Sequence, residues 1–256
     1  MIISIVNHKG GTGKTTTTIN LGSSLAEAGY RVLLVDFDAQ GSLTYSLGID
    51  DRGYTIADAF HGDVAVHQLV TEREGMHVLL AGAGLADVEL AMAKAEERFN
   101  HLSNLLQALP DYDFVLIDCS PSLSLLTLNA LAASDYIIVP MQMDVLALRG
   151  LDSMLETVRK VSSINPRLSV LGILPVMVDP RKNMYQEILH HIQSNYTERV
   201  FLQVIHNSVK AAEAPSFGKS VVAYAPQSIT ASDYRSFAQE VLKLTKSVHE
   251  QLATNN

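Results

Sequence analysis

The chain has 256 residues, 47% hydrophobic and 18% charged, with a formal net charge of −8. That composition supports a sizeable core and excludes global disorder, while the single cysteine, Cys119, excludes an internal disulfide framework and suits a reducing compartment. The acidic balance argues against a globally basic nucleic-acid binder but leaves a local basic patch open, because phosphate binding needs only a few clustered Lys and Arg.

The first element is the apolar run Ile2–Val6, which reads as a strand and feeds Lys9-Gly10-Gly11-Thr12-Gly13-Lys14-Thr15-Thr16. A helix is predicted over Thr15–Ala28, then a strand over Arg31–Asp36 and another over His77–Leu80. A long helix is expected over Ala86–Leu109, a strand over Phe114–Ile117, a helix over Leu123–Ala133 and a strand over Tyr136–Pro140. Leu146–Ser163 reads as helix, Ser169–Met177 as strand, and Met184–Asn195 and Ala231–Leu252 as helices. Several strands are apolar without alternation, as parallel strands covered on both faces are. The β-α alternation predicts an α/β fold, a doubly wound, mostly parallel sheet flanked by helices.

No repeat, low-complexity stretch or linker divides residues 1–256, so a single domain is expected, with Ala253–Asn256 frayed. The chain opens on a strand without a signal-peptide pattern, and no apolar stretch approaches the roughly 20 residues that span a bilayer. A cytoplasmic protein is the expectation. A helix-turn-helix ahead of the first strand, and with it operator binding, is not expected.

Glycines in Lys9–Thr16 let backbone N–H groups converge on one point, and the following helix adds the positive end of its dipole. Gly10, Gly11, Thr12 and Gly13 thus form a cradle for nucleotide phosphates. Lys14 reaches the β/γ-phosphate oxygens, the Thr15 hydroxyl is a Mg²⁺ ligand, and Thr16 continues the site. The ordinary phosphate-loop pattern requires a glycine five residues before Gly13, where this chain has His8, followed by an extra lysine, Lys9. Lys9 either faces solvent or serves the phosphates of another subunit. Asp36 and Asp38, at alternate positions off a strand end, are candidates for positioning Mg²⁺ or water, the alternative being a turn cap. Asp118 ends the apolar strand Phe114-Val115-Leu116-Ile117 in the manner of a Walker B carboxylate, and Mg²⁺ is its natural ligand. Cys119 reads as a packing residue.

Lys9–Thr16 resembles the deviant Walker A motif of the ParA/MinD family of P-loop ATPases. The resemblance implies an ATP-sandwich homodimer in which Lys9 contacts the nucleotide held by the partner subunit while Lys14 acts within its own. Asp36-Phe37-Asp38-Ala39-Gln40-Gly41 resembles the family's D-x-D-x-Q-G segment, which implies that Asp38 orients the attacking water and Asp36 lies near the metal. Ile117-Asp118-Cys119-Ser120-Pro121-Ser122-Leu123 resembles I-I-D-x-P-P-S-L, with Ser120 in place of one proline. Lys9, Lys14 and Asp38 are therefore the expected catalytic residues, and Thr15, Asp36 and Asp118 the expected metal site. An ordinary carboxylate, with a pKa of about 4, is a poor general base for water, which fits slow hydrolysis of ATP to ADP and phosphate, accelerated by a partner. Relatives of the nitrogenase iron protein type need two cysteines per subunit, which excludes that reading.

Asn165-Pro166-Arg167-Leu168 and Glu213-Ala214-Pro215-Ser216-Phe217-Gly218-Lys219 resemble family segments that point to the Soj-type ParA branch. That branch partitions plasmids, chromosomes or other cargo with a ParB-like or other adaptor. Met177 and Pro215 are placed near the adenine by the resemblance, an ordinary core or turn role being the alternative. Non-specific DNA binding in the ATP state would fall to Arg181, Lys182, Lys210, Lys219, Arg235, Lys243 and Lys246, and would place the protein on the nucleoid of a prokaryote. Asn207 stands where relatives often carry an arginine, so one phosphate contact is missing. Two alternatives share the fold: a membrane-cycling MinD-type ATPase and a small-molecule ligase of the dethiobiotin synthetase type. The end from Lys246 onward has little apolar area or charge for lipid, so no membrane partner is expected. The choice of cargo belongs to the partner protein.

Overall fold

Runs such as Val32-Leu33-Leu34-Val35 have no polar face to present to water and must be covered on both sides. The computed structural model describes residues 1–50, 53–82, 84–179, 181 and 184–254. Its strands are β1 (Ile2–Ile5), β2 (Val32–Phe37), β3 (Val70–Arg73), β4 (Met76–Leu79), β5 (Phe114–Cys119), β6 (Tyr136–Gln142) and β7 (Ser169–Val176). They form a seven-stranded sheet in the order β3-β4-β2-β5-β1-β6-β7. Every pairing is parallel except β3 with β4. The helices are α1 (Lys14–Glu27), α2 (Ser42–Ser46), α3 (Ile56–His61), α4 (Leu85–Met92), α5 (His101–Gln107), α6 (Leu125–Ala133), α7 (Val145–Val161), α8 (Met184–Asn195), α9 (Val209–Glu213), α10 (Val221–Tyr224) and α11 (Ile229–Thr254).

The sheet separates two cores, and the two-residue period of a strand assigns each side chain to one of them. Val32 and Leu34 of β2 join Leu21 and Leu25 of α1 and Phe237 and Val241 of α11. Leu33, Val35 and Phe37 face the opposite way, into the core made with α4 to α8. On β5, Phe114 and Leu116 share the α1 side, whereas Val115, Ile117 and Cys119 take the other. Asp36 and Asp118 continue the α1-side series of their strands and pair directly in register. Both carboxylates are thereby delivered to the start of α1, at the crevice where the strand order reverses about β1.

The α/β architecture agrees with the expectation from sequence; the short helices α2, α3, α9 and α10 were not expected, and three further differences have local causes. The segment expected as one helix over Ala86–Leu109 is two, α4 and α5. Buried Asn129 of α6 explains the break: its Nδ2 donates to the Arg98 carbonyl (2.8 Å) and its Oδ1 accepts from the Leu102 N–H (3.4 Å). This tertiary contact satisfies backbone groups that a continuous helix would have paired internally. The strand β3 escapes the sequence pattern because it is a half-exposed edge; a two-residue turn at Glu74-Gly75 joins it to β4. Both turn residues have positive φ (51° and 72°), the geometry that matches the twist of a tight hairpin. Finally, β7 stops at Val176, because Met177 adopts a left-handed conformation (φ 54°) instead of extending the strand.

Asn129→Ala should lower the free energy of unfolding by about 2–4 kcal/mol, since it strands a buried carbonyl and a buried N–H together. Urea denaturation followed by circular dichroism measures this loss.

Candidate active site

The loop between β1 and α1 is shaped by its glycines and by Asn7. Gly11 and Gly13 have φ of 70° and 76°, a conformation that costs other residues energy and that turns the chain directly into α1. Asn7 braces the loop from behind: its Nδ2 donates to the Pro140 carbonyl (2.7 Å) and its Oδ1 accepts from the Lys9 N–H (2.9 Å). The Lys9 carbonyl then accepts from the Thr12 hydroxyl (3.3 Å) and the Lys14 ammonium (3.4 Å), so Lys14 lies inside the loop, nearly buried. Burial lowers the Lys14 pKa, and Asp118, Cys119 and Asp38 oppose that shift.

Asp118 is 1% exposed and accepts from the Thr15 hydroxyl at 2.7 Å, with Thr18 at 3.5 Å on its other oxygen. Burial first, and Asp36 second, push its pKa up to about 8. Asp36 is equally buried. Its Oδ2 accepts from both the N–H and the hydroxyl of Thr44 (2.8 and 2.7 Å), while its buried Oδ1 has no partner among the described residues. Burial raises Asp36 to about 6 against the pull of the Thr44 bonds. One oxygen of Asp36 thus anchors α2, a structural duty the strand-end position did not reveal. Asp38 lies in the turn beyond β2, where its Oδ1 accepts from the Gln40 N–H (3.0 Å). Two buried carboxyl groups with raised pKa, one orphaned oxygen and a hydroxyl make a hard, oxygen-rich set that fits a divalent cation. Among the described residues no three His, Cys, Asp or Glu side chains form a complete metal cage. Water and phosphate oxygens would supply the rest of the shell, as Mg²⁺ prefers.

Lys9 leaves the loop on the opposite side. Its Nζ lies 3.0 Å from Asp144 Oδ2, and its side chain is 36% exposed. Asp144 also caps α7, accepting from the Ala147 N–H (2.8 Å) through its other oxygen. His8 is fixed to the same helix through Ser153 Oγ (3.1 Å), and its buried Nε2 has no partner among the described residues. Burial and the nearby Lys14 lower the His8 pKa. Sequence reasoning missed Asp144; a carboxylate directly ahead of the apolar-periodic Val145–Val161 was its only local signal.

A cavity of about 300 Å³ adjoins the loop, lined in part by Gly13, Thr16, Met177, His206, Thr230 and Tyr234. The left-handed turn at Met177 creates its wall. Beyond that turn, the Val178 N–H donates to the Ile205 carbonyl (3.0 Å) and the Asn207 N–H to the Val178 carbonyl (3.1 Å), which lays residues 205–207 beside the loop. Met177 therefore lines the cavity. Pro215 is not among its lining residues; it sits in the 3-10 turn Ala214–Phe217, directly after α9, whose Ala211 and Ala212 line the cavity.

Three of the basic candidates are already paired with acids. Arg181 is paired with Asp179, Lys210 with Glu213 and Arg235 with Glu27, at 2.8, 2.8 and 2.6 Å. Lys182 lies outside the described residues. Lys219 is exposed and has no ion pair among the described residues. Lys243 and Lys246, one turn apart on α11, flank a shallow cleft with Tyr30 and Gln239.

A family model described as an AAA domain matches residues 1–170. The chain is 39% identical to the chromosome partitioning protein ParA of Caulobacter vibrioides over 249 residues, 94% of this chain and 93% of that one. It is 41% identical to the sporulation initiation inhibitor protein Soj of Bacillus subtilis over 246 residues, covering 94% and 97%. Among solved structures, a Mycobacterium smegmatis protein described as cobyrinic acid a,c-diamide synthase, with bound ADP and magnesium, superimposes with a TM-score of 0.85. It is 36% identical, over 96% of this chain and 95% of that one.

Cys119, beside Asp118 but facing the opposite core, is 2% exposed, and burial pushes its thiol pKa up. In the native protein its reaction with an aromatic disulfide reagent should be at least about a thousandfold slower than in denaturant, because attack requires the thiolate and access. Absorbance of the released thiolate follows both rates.

Proposed function

The chain belongs to the ParA/Soj family of partitioning ATPases, and on that premise we propose that it is an ATP-driven dimerising switch that holds non-specific DNA in its ATP state. The observation that carries the reading is the division of labour between the two lysines. Lys14 lies within the loop, whereas Lys9 points away to a half-exposed ion pair with Asp144. A lysine placed so is of no use to the phosphates of its own subunit but is available to those of a second copy.

In this reading the backbone N–H groups of Gly10–Thr15 and the Lys14 ammonium hold the ATP phosphates, and Thr16 and Met177 border the base. Thr15 and Asp118 hold Mg²⁺, with Asp36 behind them. The bound ion neutralises charge across the phosphate oxygens. Asp38, free of the metal set, orients the attacking water, and Lys9 crosses from the second subunit to stabilise charge on the phosphates. Because Asp38 only orients water, turnover is slow until a ParB-like or other adaptor completes the geometry. DNA is held weakly through Lys219, Lys243 and Lys246, in a strongly salt-dependent manner, since three of the other basic side chains are already paired with acids. The cell compartment is the cytoplasm, on the nucleoid. The MinD-type alternative is weakened by α11, whose Tyr234, Phe237, Val241 and Leu242 are buried against α1 and the sheet rather than free for lipid. No helix among the described residues is long and apolar enough to cross a membrane. A second reading, ligation of a small acid, draws on the likeness to the M. smegmatis synthase and on a cavity of about 310 Å³ beyond Met177. That activity leaves Lys9 without a duty in trans.

Light scattering with ATP or ADP separates the two readings: the switch dimerises with ATP and not with ADP, the ligase with neither. Asp38→Ala should keep ATP-dependent dimerisation and lose turnover, and Lys14→Ala should lose nucleotide binding. A fully active Asp38→Ala protein would remove Asp38 from the mechanism. Asp144→Asn preserves the helix cap but frees Lys9 from an exposed pair worth about 0–1 kcal/mol, so dimerisation should need up to about fivefold less ATP. Lys9→Ala should abolish dimerisation. Retention on DNA at low salt should require ATP; equal retention with ADP would refute nucleotide switching.

A further inference from the structure

The cavity beside the phosphate loop carries a buried acid–histidine pair that none of the phosphate chemistry uses. Asp233, in the early turns of α11, is nearly buried, and its Oδ2 accepts from both the backbone N–H and Nδ1 of His206, each at 2.9 Å. Its Oδ1 accepts from Gln203 Nε2 at 3.2 Å. A carboxylate engaged in this way offers only lone pairs, so the imidazole proton must sit on Nδ1. In the neutral form of a ring held in this tautomer, Nε2 is an acceptor. The ring lines the cavity and keeps about a quarter of its side-chain surface exposed, and no partner for Nε2 occurs among the described residues. In the same wall, the Thr230 hydroxyl is fully buried and has no partner among the described residues. A buried hydroxyl left unpaired costs free energy, which a bound group with complementary atoms recovers.

We propose that His206, locked in one tautomer by Asp233, selects the base of the nucleotide: Nε2 accepts a hydrogen bond from the exocyclic amine of a 6-aminopurine. Thr230 serves the adjacent ring nitrogen. The inference rests on the reading that the triphosphate occupies the loop and its base the neighbouring cavity. An acceptor at Nε2 complements the 6-amino group of adenine and opposes the 6-oxo group of guanine or hypoxanthine, where two lone pairs would face each other. A hydroxyl can donate or accept, so Thr230 tolerates either edge and the discrimination belongs to His206. Asp233 is a positioning residue: it fixes which ring nitrogen carries the proton and touches no part of the base.

The test titrates Mg²⁺ with ATP, inosine triphosphate or the 6-unsubstituted purine riboside triphosphate against wild type, His206→Ala and Asp233→Asn. Wild type should prefer ATP over either analogue by about tenfold, the worth of one hydrogen bond between neutral groups. His206→Ala should bring that ratio close to unity while its affinity for the 6-unsubstituted purine riboside triphosphate stays within about twofold of wild type. Asp233→Asn should shrink the ratio too, and long-range ¹⁵N–¹H spectra should show the Nδ1–H tautomer in wild type giving way in this variant. An undiminished ratio in His206→Ala, or a wild-type proton found on Nε2, overturns the proposal. The wild-type spectrum decides even if a variant fails to fold. If wild type binds none of the three triphosphates, the nucleotide reading itself falls; if it binds all three alike, only the selection by His206 does.

Discussion

The hydrogen bond from Thr15 to the buried carboxylate of Asp118 joins the start of α1 to the end of β5, and the site is organised around it. Burying a carboxylate is costly unless hydrogen bonds or a cation compensate. Here the hydroxyl compensates only in part, since burial and the facing Asp36 still raise the Asp118 pKa to about 8. The fold therefore holds two acids and an ammonium in a nearly dry crevice whose charges are only partly matched. Such a site suits a ligand that brings a divalent cation and phosphate oxygens together.

That placement depends on sheet geometry rather than on the acids themselves. Because β2 and β5 are parallel and in register, Asp36 and Asp118 lie side by side, and the strand period sends both toward α1. A one-residue slip of either strand would send its aspartate into the apolar core occupied by Phe37 and Cys119. The uninterrupted apolar runs are thus part of the chemistry. They bury both faces of the central strands, and Asp36 and Asp118 emerge toward the C-terminal ends of β2 and β5.

The α7 helix plays the opposite part. Its N-terminal cap, Asp144, pairs with Lys9, and Ser153 bonds to His8 in the position where an ordinary phosphate loop has glycine. The loop consequently has an inner and an outer lysine, held by different parts of the fold. On the far side, the left-handed Met177 turns the chain after β7 so that residues 205–207 close the neighbouring cavity. A methionine in that conformation is strained by about 1–2 kcal/mol, a cost borne by the structure around it at the edge of the site.

Local sequence was sufficient for the phosphate loop, the acid-ended strands and the alternation of strand with helix. Each is written in neighbouring residues: glycines before a lysine and a hydroxyl, or an apolar run ending in aspartate. It was insufficient wherever a distant group decides. Asn129 breaks an apparently continuous helix from another helix, and Thr44 takes one oxygen of Asp36. Glu27, Asp179 and Glu213 pair three of the arginines and lysines that composition alone left free, and Asp233 orients His206 across 27 residues of chain. The chain's own pattern determined the shape of the glycine-rich loop and the lysines and hydroxyls it carries, because these lie in consecutive backbone and side-chain groups. Only the tertiary structure decided what each lysine, acid and histidine is paired with, because pairing depends on distances that sequence spacing does not set.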